Sequence, residues 1–195
     1  MKNVLIILGS PRKHGNSELL ARQAGEGIKK AGGSAEYIRL NGLNIAPCQG
    51  CGNCDSSGNC IVKDDMTELY TRVDVADALL LVSPVYFYGL TGQCKIFIDR
   101  FQARWARRYL KKTIYRENEN RKGFFLSTAA THGQNMFQCC KYTAKYFFDA
   151  AGFTFDYDDS FLVHGVDEKG AVKEKYELLE KAEEFGKMII RGRSI

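Results

Sequence analysis

Four cysteines fall within thirteen residues of this chain, Cys48, Cys51, Cys54 and Cys60 in the run PCQGCGNCDSSGNC. The spacing lets three thiolates from one tight loop converge on one side of a metal centre, while the longer arm around Gly58 brings in the fourth. Compact runs of this kind are the habit of iron-sulfur sites, whereas structural zinc usually takes two ligand pairs a dozen or more residues apart. Zinc, and a redox-active thiol loop holding no metal, are the competing readings.

A second polar group, Gly9-Ser10-Pro11-Arg12-Lys13-His14-Gly15-Asn16-Ser17, delivers an apolar run into a helical pattern. Unpaired backbone N–H groups and the positive end of a helix dipole suit a phosphate there. Ser10, Asn16 and Ser17 add hydrogen bonds and Arg12 adds charge. The loop is no nucleotide P-loop, because five residues separate Gly9 from Gly15 where four are required and Asn16 stands in place of the lysine. No dinucleotide G-x-G-x-x-G is present either. The bland alternative is Asn16 or Ser17 as an ordinary helix cap.

Two further segments belong with it. Ser83-Pro84-Val85-Tyr86-Phe87-Tyr88-Gly89 places three consecutive aromatics in a loop, where a flat isoalloxazine ring would cover their faces and backbone N–H groups would bond its pyrimidine edge. Ser127, Thr128 and Ala129 begin a run of small residues that lets a ring approach the backbone. Aromatic loops often only cover a core, but three loops with one chemistry favour a common ligand.

The elements that must position these residues alternate strand and helix. Lys2–Gly9, Ser34–Leu40, Ala78–Ser83, Gly123–Thr128 and Phe153–Val163 read as strands; Asn16–Ala31, Asp64–Val73, Thr91–Arg104, Gln134–Ala150 and Glu168–Arg191 read as helices. Runs apolar throughout imply a parallel sheet covered on both faces with right-handed crossovers, hence an α/β fold. Ligands of such sheets bind outside the carboxyl ends of the strands, where strand order reverses. The loops after the first, third and fourth strands converge there.

Quoted together, GSPRKHGNS, PCQGCGNC with a later cysteine and Asp64-Asp65-Met66, and SPVYFYGLTGQCKIFIDR resemble the iron-sulfur flavoproteins, a branch of the flavodoxin-like, NAD(P)H-dependent FMN reductase superfamily. The likeness covers the first 130 residues. It implies a three-layer flavodoxin-like sandwich, a five-stranded parallel sheet in the order 2-1-3-4-5 with helices on both faces. It implies Ser10, Arg12, Asn16 and Ser17 on the FMN phosphate, Pro84, Val85, Tyr86, Phe87, Tyr88 and Gly89 along the flavin, and Ser127, Thr128 and Ala129 beside it. Cys48, Cys51, Cys54 and Cys60 would ligate a [4Fe-4S] cluster. A homodimer or homotetramer is also implied, with flavin at a subunit interface and the cluster of one subunit serving a neighbour's FMN.

The function this points to is an FMN-dependent oxidoreductase. Electrons would pass from a reduced donor, a ferredoxin-like protein or NAD(P)H, through the cluster to FMN and on to a small two-electron acceptor, with no protein acid, base or nucleophile required. Without a cluster the same fold is an NAD(P)H-dependent FMN or quinone reductase. Readings from other classes are a non-enzymatic flavodoxin-type electron carrier and a zinc-stabilised binding module.

The remaining residues are less pointed. Arg100, Arg104, Arg107, Arg108, Lys111, Lys112 and Arg116 surround Trp105, Tyr109 and Tyr115, which reads first as a solvated face, then as a seat for an acidic redox partner or for NAD(P)H phosphates. Nucleic acid has no other support. His14, His132 and His164 lack partner spacing for metal or nucleophilic chemistry. Cys94 reads as a core residue, and the adjacent Cys139 and Cys140 cannot both point one way. Asp64 and Asp65 read as helix-opening acids.

Composition bounds the whole. The chain has 195 residues, 45% hydrophobic and 26% charged, with a formal net charge of +5. That suits one globular domain over 1–195 with a cysteine-rich loop at 44–63. No apolar run reaches the length of a membrane span, and Val4–Leu8 is too short for a signal-peptide core. A cytoplasmic location is expected, where seven cysteines argue for metal or redox chemistry rather than disulfides.

Overall fold

The computed structural model describes residues 1–116 and 119–192; the expected domain span of 1–195 therefore includes five positions outside the described residues. Strand β1 (Asn3–Leu8) is an interior strand of the sheet, with Val4 to Ile7 wholly inaccessible to solvent. A strand apolar on both faces needs cover on both sides, and the rest of the chain supplies it. There follow α1 (Asn16–Lys30), β2 (Ser34–Arg39), α2 (Asn53–Ser57), α3 (Met66–Val75), β3 (Ala78–Pro84), α4 (Gly92–Arg100), α5 (Gln102–Trp105), β4 (Lys122–Thr128), α6 (Gln138–Ala150), β5 (Ser160–Val163) and α7 (Tyr176–Arg191). All strand pairs are parallel and the order is β2-β1-β3-β4-β5, as expected.

Side chains of each strand alternate between two cores. Leu5, Ile7, Leu79, Leu81 and Phe125 join Phe97, Phe101, Phe147 and Phe148 on one face. The Phe101 and Phe147 rings meet edge-on at 4.9 Å, and each such buried side chain contributes roughly 1.5–3 kcal/mol. On the other face, Val4, Ile6, Leu80, Val82 and Phe124 pack against α1 and α7 through Leu20, Ala24, Ile28, Phe185 and Ile189. These two helices approach so closely that a Cβ at Gly27 would lie 2.0 Å from the Glu183 carbonyl and one at Gly186 would lie 1.9 Å from that of Ala24.

Element ends depart from the periodicity for local reasons. The fifth strand, expected from Phe153, begins at Ser160. Asp156 first folds into an Asx turn, its Oδ1 accepting from Asp158 N at 3.0 Å, and its carbonyl accepts from Asp159 N at 2.9 Å. The helix expected from Gln134 starts at Gln138 because Asn135 takes a φ of 56°. The last helix starts at Tyr176 rather than Glu168, because Gly170 takes a φ of 87° and a single 3-10 turn occupies Ala171–Glu174. The helix expected over Thr91–Arg104 breaks at Phe101, whose N–H turns back to Ile98 O at 2.9 Å, and then widens into a π-turn over Ala106–Leu110. Among the described residues no helix is long and apolar enough to cross a membrane.

Candidate functional sites

At the carboxyl edge of the sheet a buried polar chain ties three strand ends together. Gly9, just past β1, donates to Val82 O at 2.7 Å, and a Cβ there would lie 2.9 Å from both Val82 O and Cys94 Cβ. Thr91, wholly buried, caps α4: its Oγ1 donates to Gly9 O at 2.5 Å and accepts from Cys94 N at 3.4 Å. Its own N–H reaches Ser83 Oγ at 3.2 Å, and Ser127 Oγ donates to Ser83 O at 2.7 Å. Every link uses a group that would otherwise be an orphan in the core, so the loops after β1, β3 and β4 are fixed relative to one another.

Those loops enclose a cleft of about 120 Å³. The first contributes Ser10, Arg12, Gly15, Asn16 and Ser17, the second Pro84, Val85 and Tyr86, the third Thr128 and Ala130. The loop after β5 adds Val166 and Asp167, which the sequence reading missed. The cleft opens on the N-terminus of α1, where Gly15 is extended and offers no side-chain cap, so the first-turn N–H groups have no capping side chain. Arg12 is exposed beside them, with one contact from its Nη1 to Asp167 O at 3.4 Å. This arrangement suits an anion held by amides, hydroxyls and one cation.

Two residues in the first turn of α1 serve the scaffold. Asn16 reaches across to the β5–α7 connection, its Nδ2 donating to Glu168 O at 2.8 Å and to Val166 O at 3.3 Å while its Oδ1 accepts from Val172 N at 3.3 Å. What Asn16 offers an anion is therefore its backbone N–H rather than its side chain. Glu18 is buried, accepts from His14 N at 2.6 Å and pairs with Arg22 and Arg39. Burial alone would raise its carboxyl, but the hydrogen bonds from Arg39, the His14 amide and Arg22 outweigh it and hold it at about 2.

Of the aromatic triplet only Tyr86 lines the cleft. Tyr86 and Gly89 exchange both backbone hydrogen bonds at 2.9 Å, closing a two-residue hairpin whose central residues, Phe87 and Tyr88, have φ of 48° and 62°. Such a turn favours Asn-Gly, and two aromatics in it are strained. Phe87 projects fully into solvent at 105% of its reference area. Tyr88 is anchored, its carbonyl accepting from Cys140 Sγ at 3.7 Å. Ser127 and Ala129 do not line the cleft: Ser127 belongs to the polar chain, and Ala129 packs with Met136 and Phe137.

His132 and His164, lacking partner spacing in the sequence, stack at 5.4 Å with 15° between their planes. The loops after β4 and β5 bring them together, and His164 Nδ1 lies 3.1 Å from Thr131 O. Cys94 is buried as expected, and Cys139 and Cys140 point opposite ways, one exposed and one buried.

The four cysteines of the second site line one cavity of about 180 Å³, together with Ile61, Val62, Arg100, Gln102 and Ala103. No group of three or more His, Cys, Asp or Glu among the described residues is close enough to hold a single metal ion. Four thiols lining one cavity supply the soft sulfur donors that a zinc ion or an iron-sulfur group takes. Cys54 is raised by burial and then by Asp55. Asp64 and Asp65 open α3 as expected, Asp65 at its N-cap position, and they also close the base of the loop. Asp65 Oδ2 accepts from Asn44 N at 2.7 Å, and Asp64 accepts from Ala46 N at 2.9 Å and from Met66 N at 3.0 Å.

The basic segment is only partly a solvated face. Arg100 and Arg104 are buried, the latter paired with Asp74 at 2.5 Å, and Arg116 pairs with Asp77 at 2.7 Å. Arg107 clamps the cysteine loop, its Nε donating to Gly58 O at 2.9 Å and its Nη2 to Asn59 Oδ1 at 2.5 Å. Lys111 and Lys112 remain exposed beyond the π-turn.

With this geometry in place, residues 2–143 match the family model described as NADPH-dependent FMN reductase. An iron-sulfur flavoprotein of Archaeoglobus fulgidus is 43% identical over 94 residues, covering 48% of this chain and 43% of that protein. One of Methanocaldococcus jannaschii is 41% identical over 97 residues, covering 50% of each. The chain thus spans about half the length of the curated relatives it matches. Among solved structures, an NAD(P)H:quinone oxidoreductase from Methanothermobacter marburgensis shares the fold with a TM-score of 0.71 at 17% identity, covering 95% of this chain and 98% of that one.

Proposed function

Because the chain belongs to the NADPH-dependent FMN reductase family, we propose that it is a flavin-dependent oxidoreductase of the iron-sulfur flavoprotein kind, carrying FMN in the carboxyl-edge cleft and a [4Fe-4S] cluster in the cysteine loop. The observation that carries this reading is the convergence of three loops and the uncapped α1 N-terminus on one cleft. The relatives named iron-sulfur flavoprotein support it.

The residues fit both groups. A phosphate would sit against the α1 amides, Ser10, Ser17 and Arg12, and a flat ring would lie along Pro84, Val85 and Tyr86 with Thr128 and Ala130 beside it. Cys48, Cys51, Cys54 and Cys60 would ligate the cluster. When bound, FMN exchanges hydride or single electrons and a cluster exchanges single electrons only, which suits transfer from a reduced donor to a small two-electron acceptor. The chain's own part is to bind, orient and exclude water, with Thr91 and Ser83 holding the loops rigid. Lys111 and Lys112 carry charge toward an acidic donor protein near the cysteine loop, and NAD(P)H is the alternative donor.

Anaerobic purification followed by a spectrum and by iron, sulfide and flavin assays tests the reading. Bound FMN with about four iron and four sulfide per chain is expected. Flavin without iron would leave an NAD(P)H-dependent FMN or quinone reductase, and absence of flavin would overturn the proposal.

A further inference from the structure

Arg100 ends α4 and is 1% exposed. Its guanidinium closes the cysteine loop from both sides. Nη1 donates to Ala46 O at 2.8 Å, on the chain entering the loop, and to Asp64 Oδ2 at 2.6 Å. Nη2 donates to Val62 O at 3.3 Å, on the chain leaving it, and to Asp64 Oδ1 at 3.2 Å. A guanidinium has five N–H donors, and these contacts use four. The fifth, Nε–H, is buried and has no partner.

A buried donor without an acceptor is rare in a folded protein, and a bound group is one of the explanations for it. Arg100 is also one of the residues lining the cavity walled by Cys48, Cys51, Cys54 and Cys60. Cys60 is near enough to act on Arg100 electrostatically. The geometry points to Arg100 Nε–H as a hydrogen-bond donor to a sulfur of the metal centre, either the Cys60 thiolate or an inorganic sulfide, that raises the centre's reduction potential. This rests on the cluster reading above.

The charge arrangement sharpens the claim. Asp64 already balances the guanidinium in a bidentate pair, so the net charge beside the cavity is close to zero and what remains is a directed N–H dipole. Hydrogen bonds to cluster sulfurs stabilise the more negative, reduced state. Arg107 is not equivalent, since its donors go to Gly58 and Asn59 and it does not line the cavity. A lysine at 100 would keep the charge opposite Asp64 but has only three donors and no Nε–H.

The test uses anaerobically prepared holoprotein, with iron and sulfide measured first. A wild type without iron and sulfide overturns the cluster reading and this inference with it. In loaded wild type labelled with 15N-arginine, pulsed EPR of the reduced cluster should show a contact coupling to one arginine nitrogen and to one proton exchangeable in deuterium oxide. Arg100→Lys should abolish both signals and lower the midpoint potential. A loaded wild type with no arginine nitrogen coupling overturns the inference while leaving the cluster reading intact, and this holds even where Arg100→Lys fails to take up iron. An unchanged midpoint potential in loaded Arg100→Lys does the same.

Discussion

Thr91 Oγ1 donates a 2.5 Å hydrogen bond to the Gly9 carbonyl, so the first residue after β1 is held by the cap of a helix more than eighty positions away. Both groups are in the core, where an unmet carbonyl costs about 1–3 kcal/mol and a lost cap about 1 more. Thr91→Val should therefore destabilise the protein by about 2–3 kcal/mol, which at ~2–4 °C per kcal/mol for a chain of this size lowers Tm by roughly 5–10 °C. It should also weaken FMN binding, because the anion loop begins at Gly9. Thr91→Ser keeps the hydroxyl and should retain most of both. Thermal melts and flavin titrations of the two variants separate the hydrogen bond from the shape of the side chain.

Phe87 carries strain that serves no packing within the chain. With a φ of 48° and a fully exposed ring, it gains nothing from burial to offset the left-handed backbone. Phe87→Gly removes a cost of order 1 kcal/mol, so the apoprotein should melt about 1–4 °C higher. Strain of this kind persists where function needs it. The same variant should bind FMN more weakly than wild type, and a variant that gains stability with no loss of flavin affinity would show the ring to be idle.

The sheet was legible because its strands are short, wholly apolar runs, Val4–Leu8 and Ala78–Val82 above all, between helices with clear apolar faces. The loop after β1, the start of the aromatic loop and the cysteine run stand out in the sequence because each is contiguous. What stayed hidden depends on distant partners. Asn16 looked like a phosphate ligand, but its amide is engaged by backbone 150 and more residues on. His132 and His164 carry no sequence relation, and only the adjacency of β4 and β5 stacks them. Arg100 and Arg104 read as part of a charged surface because nothing local announces that Asp64 and Asp74 meet them in the interior.

Glu18 should give the fold an acid limb. Its carboxyl titrates near 4.5 when free and at about 2 in the folded protein. A depressed carboxylate contributes stability above its unfolded value and loses it as pH falls toward the folded one. On the order of 3 kcal/mol present at neutral pH should thus disappear between about pH 4.5 and 2. Denaturant melts of the apoprotein avoid interference from the flavin phosphate, whose second proton binds near pH 6. Glu18→Gln should be less stable at pH 7 and show a flatter dependence across that window; an equal slope in both proteins would place the acid sensitivity elsewhere.

The cysteine cavity and the carboxyl-edge cleft share no lining residue, so loading of one should not require the other. Cys48 is exposed and contributes nothing to either core. Replacing it with serine changes one atom at the surface, within about 0.5 kcal/mol of neutral for stability, yet it removes the group whose thiolate form ligates metal. Cys48→Ser should therefore lose iron and sulfide while retaining FMN near the wild-type stoichiometry. Cys139→Ser, at an equally exposed cysteine on α6, should retain both. Metal and flavin assays on anaerobically prepared variants decide the matter. Joint loss of flavin and iron in Cys48→Ser would mean that the loop supports the flavin cleft through contacts between copies of the chain, since the two cavities are built from separate residues within one.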